Sequence, residues 1–442
     1  MRLGPDTPLP LSVRQPHYDR SVQAAGIVHI GIGAFHRAHQ AVYTDDAMGA
    51  GDRDWGIIGV SLRSGDVAAQ LNPQQGLYTV STRSAAETEL RLIGAVQKVL
   101  AAPENPQAVI NAIAAPTTHI VSFTVTEKGY LRRPDGSLDL AAATGRSSLY
   151  RFVAAGLAAR KAAGVGGLTL LSCDNLAANG AVLGGLMREY LAAALPDLVD
   201  WFDRECRSPA TMIDRIVPAT TDGDRTAVEA ILAARDDGAV VTEGFSQWVI
   251  EDDFAGPRPR WEAVGAELVA DVAPYETAKL RMLNGAHSAL AYIGLERGHE
   301  FVHRVIADPV VRPVIETLMR DEAAPTITAA PGQDLSAYAD ALLARFGNPA
   351  LHHRLLQIAM DGSQKIPQRW LETLAWHQAR GQHCPSLEAA VAAWIAFLRS
   401  DHPIDDPLAD QLREAAAGPD AIEKLFGVGG LIASEWRPEL AT

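Results

Sequence analysis

One stretch in the second half of the chain carries four side chains that could act together on an alcohol. In "PYETAKLRMLNGAHS" the polar residues of interest are Glu276, Lys279, Asn284 and His287. At about 100° per residue they fall within an arc of roughly 140° on an α-helix. A neutral lysine can take the proton of a hydroxyl group, while amide and imidazole groups can hold the developing oxyanion. The spacing predicts a site for alcohol oxidation, and a solvated helix face with no chemistry is the alternative.

The lysine needs help to act as a base. Burial or neighbouring positive charge must lower its pKa from about 10.4 towards neutrality. Glu276, one turn before Lys279, could relay the released proton to water. Tyr275 and Lys279 also match the YxxxK pair of short-chain dehydrogenases, in which the tyrosine is the base. Because this pair stands far along the chain from any glycine turn, we interpret it as a coincidence.

A second candidate site lies near the N-terminus, in "IVHIGIGAFHRAHQAVYTDD". Gly31 and Gly33 follow a strand-like run, and two such glycines permit the tight turn and the close backbone approach of a dinucleotide fold. Ala34 is small enough to help, and Arg37 adds positive charge near the turn. The next strand-like run, "GIIGVSL", is followed by Arg63 instead of an acidic residue. NAD and NADP therefore both stay open on the residues alone.

The histidines and cysteines show no metal-binding pattern. His36 and His39 have no third ligand at metal-site spacing, so helix capping or packing is the expected role. Adjacent histidines at 352 and 353 would point apart on a helix. The chain has three cysteines, widely spaced and without a CxxC pair. We therefore expect no metal site and no disulfide framework.

Length and charge narrow the class of protein. A chain of 442 residues suggests two domains, and a formal net charge of -14 argues against a nucleic-acid partner. The N-terminal residues lack the apolar core of a secretory signal, and no apolar run is long enough to span a membrane. These features predict a soluble, cytoplasmic enzyme that acts on a small molecule.

The two candidate sites fall in regions of different texture. Strand-like runs alternate with helical stretches at 107–115 and 147–164, which predicts a Rossmann-like, doubly wound α/β domain over residues 1–272. After that point Ala/Leu-rich amphipathic segments dominate, so residues 273–442 are expected to form a mostly α-helical substrate-binding domain. The predicted strands are "GIVHIGIG", "DWGIIGVSL", "THIVSFTVT", "GLTLLSCDN" and "TMIDRIVPAT".

Six segments in a fixed order resemble one known family, the polyol-specific long-chain dehydrogenase/reductases, or mannitol dehydrogenase family. They are "GIGAFHRAHQAVYTDD", "TVTEKGY", "SCDN", "DRIVP", "QWVIED" and "KLRMLNGAHS". The resemblance implies zinc-independent chemistry with NAD as the usual cofactor, and a monomer or small homo-oligomer. It implies Lys279 as general base, Asn175 and Asn284 as oxyanion-binding amides, His287 as a substrate-orienting group, Glu276 as proton relay and Asp214 as part of the substrate or cofactor wall. The cofactor would contact Gly31, Gly33, Ala34, Phe35, Arg37, Arg63, Thr124 and Asn175.

Within the family, "TVTEKGY", "QWVIEDDF" and "HRLLQIAMDGSQKIPQRW" resemble the members that interconvert D-mannonate and D-fructuronate. Mannitol enzymes carry an Arg eight residues before the lysine of the last motif, whereas Gln357 stands there in this chain. Arg354 and Lys365 could instead hold the carboxylate of a sugar acid. The alternatives are a dehydrogenase of mannitol, arabinitol or sorbitol, an altronate enzyme, or a dinucleotide-binding sensor without catalysis.

Overall fold

The computed structural model describes residues 1–84, 87–350 and 353–438. The chain divides into two compact units, Met1–Val272 and Ala273–Thr442, called here the N-terminal and the C-terminal unit. Each unit has its own apolar core: the N-terminal cores line both faces of a sheet, and the C-terminal core lies among helices. Within the described residues, no helix is long and apolar enough to cross a membrane.

In the described part of the N-terminal unit, residues 1–84 and 87–272, the strands form three sheets. They are β1 (Val13–Arg14), β2 (Ala25–Ile30), β3 (Gly56–Ser61), β4 (Tyr78–Arg83), β5 (Thr88–Ile93), β6 (Val96–Ala101), β7 (Ile120–Phe123), β8 (Thr169–Ser172), β9 (Thr211–Asp214), β10 (Val240–Glu243), β11 (Gln247–Glu251) and β12 (Glu267–Val269).

The largest sheet is parallel and has the strand order β6-β3-β2-β7-β8. In its register Val28 lies opposite both Ile58 and Val121, so the central strand is paired on both sides. All three side chains are buried, as expected for a parallel sheet covered by helices. Order and direction are those of a doubly wound fold, which confirms the predicted fold class of this unit.

The other two sheets have the orders β1-β5-β4-β10 and β12-β11-β9. The predicted strand "TMIDRIVPAT" exists as β9, but it pairs antiparallel with β11, outside the parallel sheet. Strand β6 instead completes the parallel sheet, and the sequence does not predict it. The polar residues Gln97 and Lys98 interrupt its apolar run. They are tolerated there because their side chains are not fully buried at the edge of the sheet.

The helices of the N-terminal unit pack against its sheets and against one another. They are α1 (Ala34–Ala38), α2 (Gln40–Gly49), α3 (Asp66–Leu71), α4 (Pro106–Ala114), α5 (Leu140–Ala143), α6 (Leu149–Ala162), α7 (Asn179–Ala194), α8 (Val199–Glu205) and α9 (Asp222–Leu232). The two helices expected at 107–115 and 147–164 are α4 and α6. Helix α4 begins where the Asn105 side chain accepts a hydrogen bond from the backbone of Ala108 at 3.0 Å.

The described residues of the C-terminal unit are helical and contain no strand, as the sequence predicts. The α-helices are α10 (Ala273–Ala278), α11 (Gly285–Glu296), α12 (Val302–Ile306), α13 (Val311–Thr317), α14 (Leu335–Phe346), α15 (Leu355–Ile358), α16 (Gly362–Ile366), α17 (Glu372–Gln378), α18 (Pro385–Arg399), α19 (Ala409–Ala416) and α20 (Ala421–Phe426). Three segments are π-helical: Lys279–Asn284, Leu318–Ala323 and Pro367–Leu371. The first of them joins α10 to α11 without a break in the helix.

Candidate functional site

The glycine turn after β2 requires glycine at one position and leaves the other open. Gly31 has a φ of 97°, and a Cβ added there would lie 2.1 Å from the backbone oxygen of Thr124. Gly33 is exposed, and a Cβ added there would meet only the oxygen of Gly31, at 3.8 Å. Gly31 therefore shapes the turn, while Gly33 leaves backbone accessible to a ligand.

A histidine supports the turn from beneath. His29 Nδ1 lies 2.8 Å from Ser122 Oγ, and its Nε2 lies 2.8 Å from Thr124 Oγ1. Because the Thr124 hydroxyl donates to Gly31 O at 2.7 Å, it accepts from Nε2, which assigns the ring proton to Nε2. Burial lowers the pKa of His29 to about 3, so the ring is neutral. This chain of hydrogen bonds places Thr124 against the turn.

His36 and His39, the pair without a metal pattern, are both buried among other side chains. His36 stacks on His29 with ring centroids 3.4 Å apart, and burial lowers its pKa well below the usual range. His39 Nε2 lies 2.9 Å from Gln247 O, and Phe35 stacks on the His39 ring at 5.2 Å. The ring contacts are packing contacts, and His39 also forms a hydrogen bond to the backbone. Phe35, expected at the cofactor, is partly buried and retains some exposed surface.

Arg37 donates hydrogen bonds to backbone around the glycine turn. It is buried, and its Nε and Nη1 donate to the carbonyl oxygens of Gly33 at 3.3 Å and Gly238 at 2.5 Å. The Tyr78 hydroxyl in turn donates to Arg37 O at 2.8 Å. In the structure the guanidinium stabilises the backbone around the turn, and a contact between Arg37 and the cofactor stays a prediction. A cation near a glycine turn cannot be assigned an orientation from sequence.

The other candidates of this unit follow the carboxyl ends of the parallel strands. Thr124 comes directly after β7, Asn175 follows β8, and Arg63 follows β3. Asn175 and Arg63 are exposed. Since carboxyl ends of parallel strands share one edge of the sheet, these residues border the same edge as Gly33, where α/β sheets bind their ligands. Asp214 is the buried last residue of β9, in the separate mixed sheet β12-β11-β9.

Asp174 is a residue that the sequence analysis passed over. Its buried carboxylate accepts from the backbone of Val125 and Thr126 and from the Tyr130 hydroxyl, each at 2.9 Å. It therefore ties the loop after β7 to the end of β8, next to Asn175. An acidic residue directly after a buried strand was the available signal. Burial raises its pKa, and the accepted hydrogen bonds oppose that effect.

In the C-terminal unit, Lys279 and Asn284 are the two ends of a π-helical segment. At its exit the backbone N–H of Gly285 donates to the oxygen of Leu280, five residues earlier. In an α-helix residue i+5 lies about 140° around the axis from residue i. A ladder of i to i+5 bonds brings it nearly above residue i instead. The angles expected for an α-helix are therefore wrong here, and the π segment brings Lys279 and Asn284 closer to one face.

The end of this segment is held by side chains from another π segment, Pro367–Leu371. Arg369 Nη1 donates to Ser288 Oγ at 2.7 Å and to Asn284 O at 3.3 Å. Trp370 Nε1 donates to Gly285 O at 3.0 Å. A Cβ at Gly285 would lie 3.2 Å from Arg369 O, so the two backbones approach closely. These contacts fix the backbone that carries Asn284.

His287 lies among cationic groups. Its ring stands 5.6 Å from the Phe346 ring and 5.1 Å from the His353 ring. Its Nε2 atom is shielded from water and has no hydrogen-bond partner. Burial lowers the pKa of His287 well below its usual range, and the charges of His353, Arg369, Arg345 and Lys365 lower it further. A neutral imidazole with an unpartnered Nε2 suits a substrate hydroxyl.

The two predicted carboxylate-binding cations have different surroundings. Lys365 is partly buried and donates to Met360 O at 2.6 Å. Arg354 is exposed and pairs with Glu300 at 2.5 Å, with its guanidinium over the Phe301 ring. The contact observed for Arg354 is therefore this ion pair with Glu300, and not a contact with His287. His352 lies outside the described residues.

Glu276 and Lys279 are both partly buried, Glu276 in α10 and Lys279 at the start of the π segment. Tyr275, the partner of Lys279 in the YxxxK pair, is buried in α10. Across the described ranges, no group of three or more His, Cys, Asp or Glu side chains is placed to hold a metal ion.

Together, a doubly wound unit with a glycine turn and a helical unit with a lysine–asparagine face define a dehydrogenase of the nucleotide-binding type. The comparisons with known proteins identify which one. The Mannitol dehydrogenase Rossmann domain model matches residues 25–263, and the Mannitol dehydrogenase C-terminal domain model matches residues 271–426. The chain belongs to the mannitol dehydrogenase family, so the predicted family and enzyme class are confirmed.

Individual relatives match over nearly the whole chain. D-mannonate oxidoreductase of Escherichia coli (strain K12) is 40% identical and covers 96% of this chain and 92% of its own. The uncharacterized oxidoreductase YeiQ of the same organism is 41% identical, over 94% of this chain and 89% of its own. A solved structure of Pseudomonas fluorescens mannitol 2-dehydrogenase with NAD and D-mannitol has a TM-score of 0.83 and 35% identity, covering 98% of this chain and 93% of that one.

Proposed function

We propose that this chain is an NAD-dependent oxidoreductase that interconverts D-mannonate and D-fructuronate. The π-helical segment from Lys279 to Asn284 is the observation that carries the chemistry, because it turns a candidate base and a candidate oxyanion-binding amide towards one face. The cationic surroundings of His287 suit an acidic sugar. The likeness to a D-mannonate oxidoreductase supports the choice of substrate.

The residues at the sheet edge fit a dinucleotide. Gly33 offers exposed backbone where a Cβ would meet nothing closer than 3.8 Å, as the approach of a pyrophosphate requires. Arg63 and Asn175 are exposed beyond the ends of their strands, where ribose and nicotinamide groups would lie. NAD, when bound, supplies the hydride acceptor for oxidation and, as NADH, the donor for reduction. Arg63 keeps NADP as an alternative, because an arginine there can accept a 2′-phosphate.

In the proposed oxidation, neutral Lys279 takes the proton of the hydroxyl group beside the terminal CH2OH group. The amides of Asn284 and Asn175 steady the oxygen as negative charge develops on it. His287 orients a neighbouring hydroxyl through its Nε2 atom, and Glu276 passes the proton from Lys279 to water. Asp214 forms part of the wall around the ligands. In reduction, protonated Lys279 acts as the acid.

A second candidate stays within the family. The solved relative binds D-mannitol, so a polyol 2-dehydrogenase acting on mannitol, arabinitol or sorbitol is the main rival, and an altronate–tagaturonate enzyme is another. The stereochemistry that separates these substrates depends on the shape of the pocket. A non-catalytic sensor is disfavoured, since a pure binder of dinucleotide needs neither Lys279 nor Asn284.

A substrate panel tests the proposal. Purified protein is assayed with D-fructuronate, D-tagaturonate, D-fructose and D-xylulose, each with NADH and with NADPH. We expect the highest kcat/KM for D-fructuronate with NADH. A preference for D-fructose would establish the polyol alternative, and a preference for D-tagaturonate would establish the altronate one. Binding of NADH without turnover of any of these would support the sensor.

A further inference from the structure

We propose that Arg369 recognises the carboxylate of the sugar acid and thereby decides between acidic and uncharged substrates, with Lys365 as its second cation. This inference rests on the proposed function and names the residue behind its substrate class. It transfers the role expected of Arg354 to an arginine in a different position. Arg369 lies in the Pro367–Leu371 segment that contacts the Lys279–Asn284 segment.

Arg369 is held by hydrogen bonds from one side of its guanidinium. Two acceptors, Ser288 Oγ and Asn284 O, take hydrogen bonds from the same nitrogen, Nη1. Both lie on the helix that carries His287, one residue and three residues away from it. Within the described residues the Nε and Nη2 atoms of Arg369 have no hydrogen-bond partner. The guanidinium is thus fixed on one side, and its remaining N–H groups can bind a planar carboxylate at two points.

Arg369 and Lys365 are cations that are at least partly buried. In the part of the chain that the structure describes, neither forms an ion pair with an acidic side chain. Burial lowers the pKa of Arg369 to about 10. Burial also lowers the pKa of Lys365, and the charge of Arg369 is the next largest cause of that decrease. A partly buried cluster of like charges is unfavourable, and a bound anion relieves it.

Three carboxylates lie near this pair of cations. Asp361, Asp406 and Asp405 each raise the pKa of Lys365, each by less than the charge of Arg369 lowers it. The carboxylate of Asp406 accepts from Ser363 N at 2.7 Å and from Ser363 Oγ at 2.6 Å. Within the described residues none of the three forms an ion pair with Lys365 or Arg369, so a direct contact with the carboxylate of a ligand is open to both cations.

Arg369 also lies next to Asn284, the residue assigned to the reacting oxygen. Because its guanidinium donates to the backbone oxygen of Asn284, a substrate with a short carbon chain is long enough to reach both residues. Arg354 offers neither property, because it is exposed and its charge is paired with Glu300. The two arginines differ in surroundings and not in type, which makes Arg354 the matched control for Arg369.

The test compares two ketoses that differ at the chain end. D-Fructuronate carries a carboxylate where D-fructose carries CH2OH. In the Arg369→Leu variant both ketoses should lose some kcat, because the backbone of Asn284 loses a hydrogen bond, but KM for D-fructuronate should rise about tenfold or more relative to KM for D-fructose. Arg369→Lys, which keeps the charge but loses the fork, should show an intermediate rise in KM. Arg354→Ala should leave both substrates unchanged.

Equal losses for both ketoses in Arg369→Leu would overturn the inference, because they would show that Arg369 only supports the backbone of Asn284. If that variant does not fold, the Arg369→Lys ratio decides in the same way. Binding to the wild type gives an independent measurement: D-mannonate should raise the melting temperature more than equimolar D-mannitol, and equal shifts would contradict the inference. Turnover of D-fructuronate by the wild type separately decides the proposed function.

Discussion

The glycine turn of the N-terminal unit and the π segment of the C-terminal unit are built in opposite ways. At the turn, the polar groups beneath the backbone are bonded to one another: His29, Thr124 and Gly31 form one chain of hydrogen bonds. Around the π segment, the backbone is the part that is held, while His287 Nε2 has no partner and Arg369 is bonded through one nitrogen.

This difference indicates different tasks. A surface that presents backbone to a ligand must have a fixed shape, and the side chains of His29 and Thr124 are hydrogen-bonded within the protein to provide it. A surface that performs proton transfer and recognises a variable substrate must keep side-chain groups available.

The largest effect should come from the C-terminal unit. Lys279→Ala should lower kcat by about 10³-fold or more in both directions, because it removes the proposed acid–base group. Binding of NADH, measured by fluorescence titration, should change little. Tyr275→Phe is the control, and it should retain most of its activity. A crippled Tyr275→Phe together with an active Lys279→Ala would reverse the assignment of the base.

At the turn, two glycines give a matched pair. Gly31→Ala should destabilise the protein by about 3 kcal/mol or more, because its Cβ would overlap the backbone oxygen of Thr124 and its φ is positive. Gly33→Ala should change the free energy of unfolding by less than about 1 kcal/mol, since the space around it is open. It should still weaken NADH binding. Denaturant unfolding of both variants measures the effect on stability, and NADH titration measures the effect on cofactor binding. Similar unfolding curves for the two variants would refute the distinction between Gly31 and Gly33.

Acid should weaken the support beneath the turn. The folded pKa of His29 is about 3, below its unfolded value near 6.5, so its contribution to stability is complete above that value and is lost as pH falls towards 3. Between pH 6 and 5 each such histidine should lower the free energy of unfolding by roughly 1 kcal/mol. His29→Gln should remove that share of the slope. An unchanged slope, from urea unfolding at several pH values, would show that His29 does not titrate in this way.

The smallest effect should come from Arg354→Ala. The Arg354–Glu300 pair is exposed on both sides, at 64% and 58% of the side-chain surface, so its loss should cost at most about 1 kcal/mol. Calorimetry should detect little change in melting temperature. A large rise in KM for D-fructuronate would restore Arg354 as a substrate residue and would weaken the contrast with Arg369.

The sequence predicts features that depend on local backbone constraints. Gly31 and Gly33 after an apolar run indicate the turn, and the change in texture near residue 272 indicates a helical second half. The roles of Arg37 and Arg354 could not be predicted, because the direction of a long cationic side chain depends on acceptors distant in the chain, such as Gly238 O. Arg369 has a distant partner too, Ser288, so its spacing carried no local signal, whereas Asp174 could have been found from its place after a buried strand.

The π segment Lys279–Asn284 holds about one residue more per turn than an α-helix. Beyond Asn284, the side chains of α11 are therefore offset by about 100°, the angle of one residue, from the positions that a regular continuation of α10 would give them. Removing one residue between 279 and 284 would restore a regular helix and leave His287 on its present side, because the wide turn absorbs the extra residue. A single deletion in this segment should therefore disturb α11 less than a deletion at the centre of that helix.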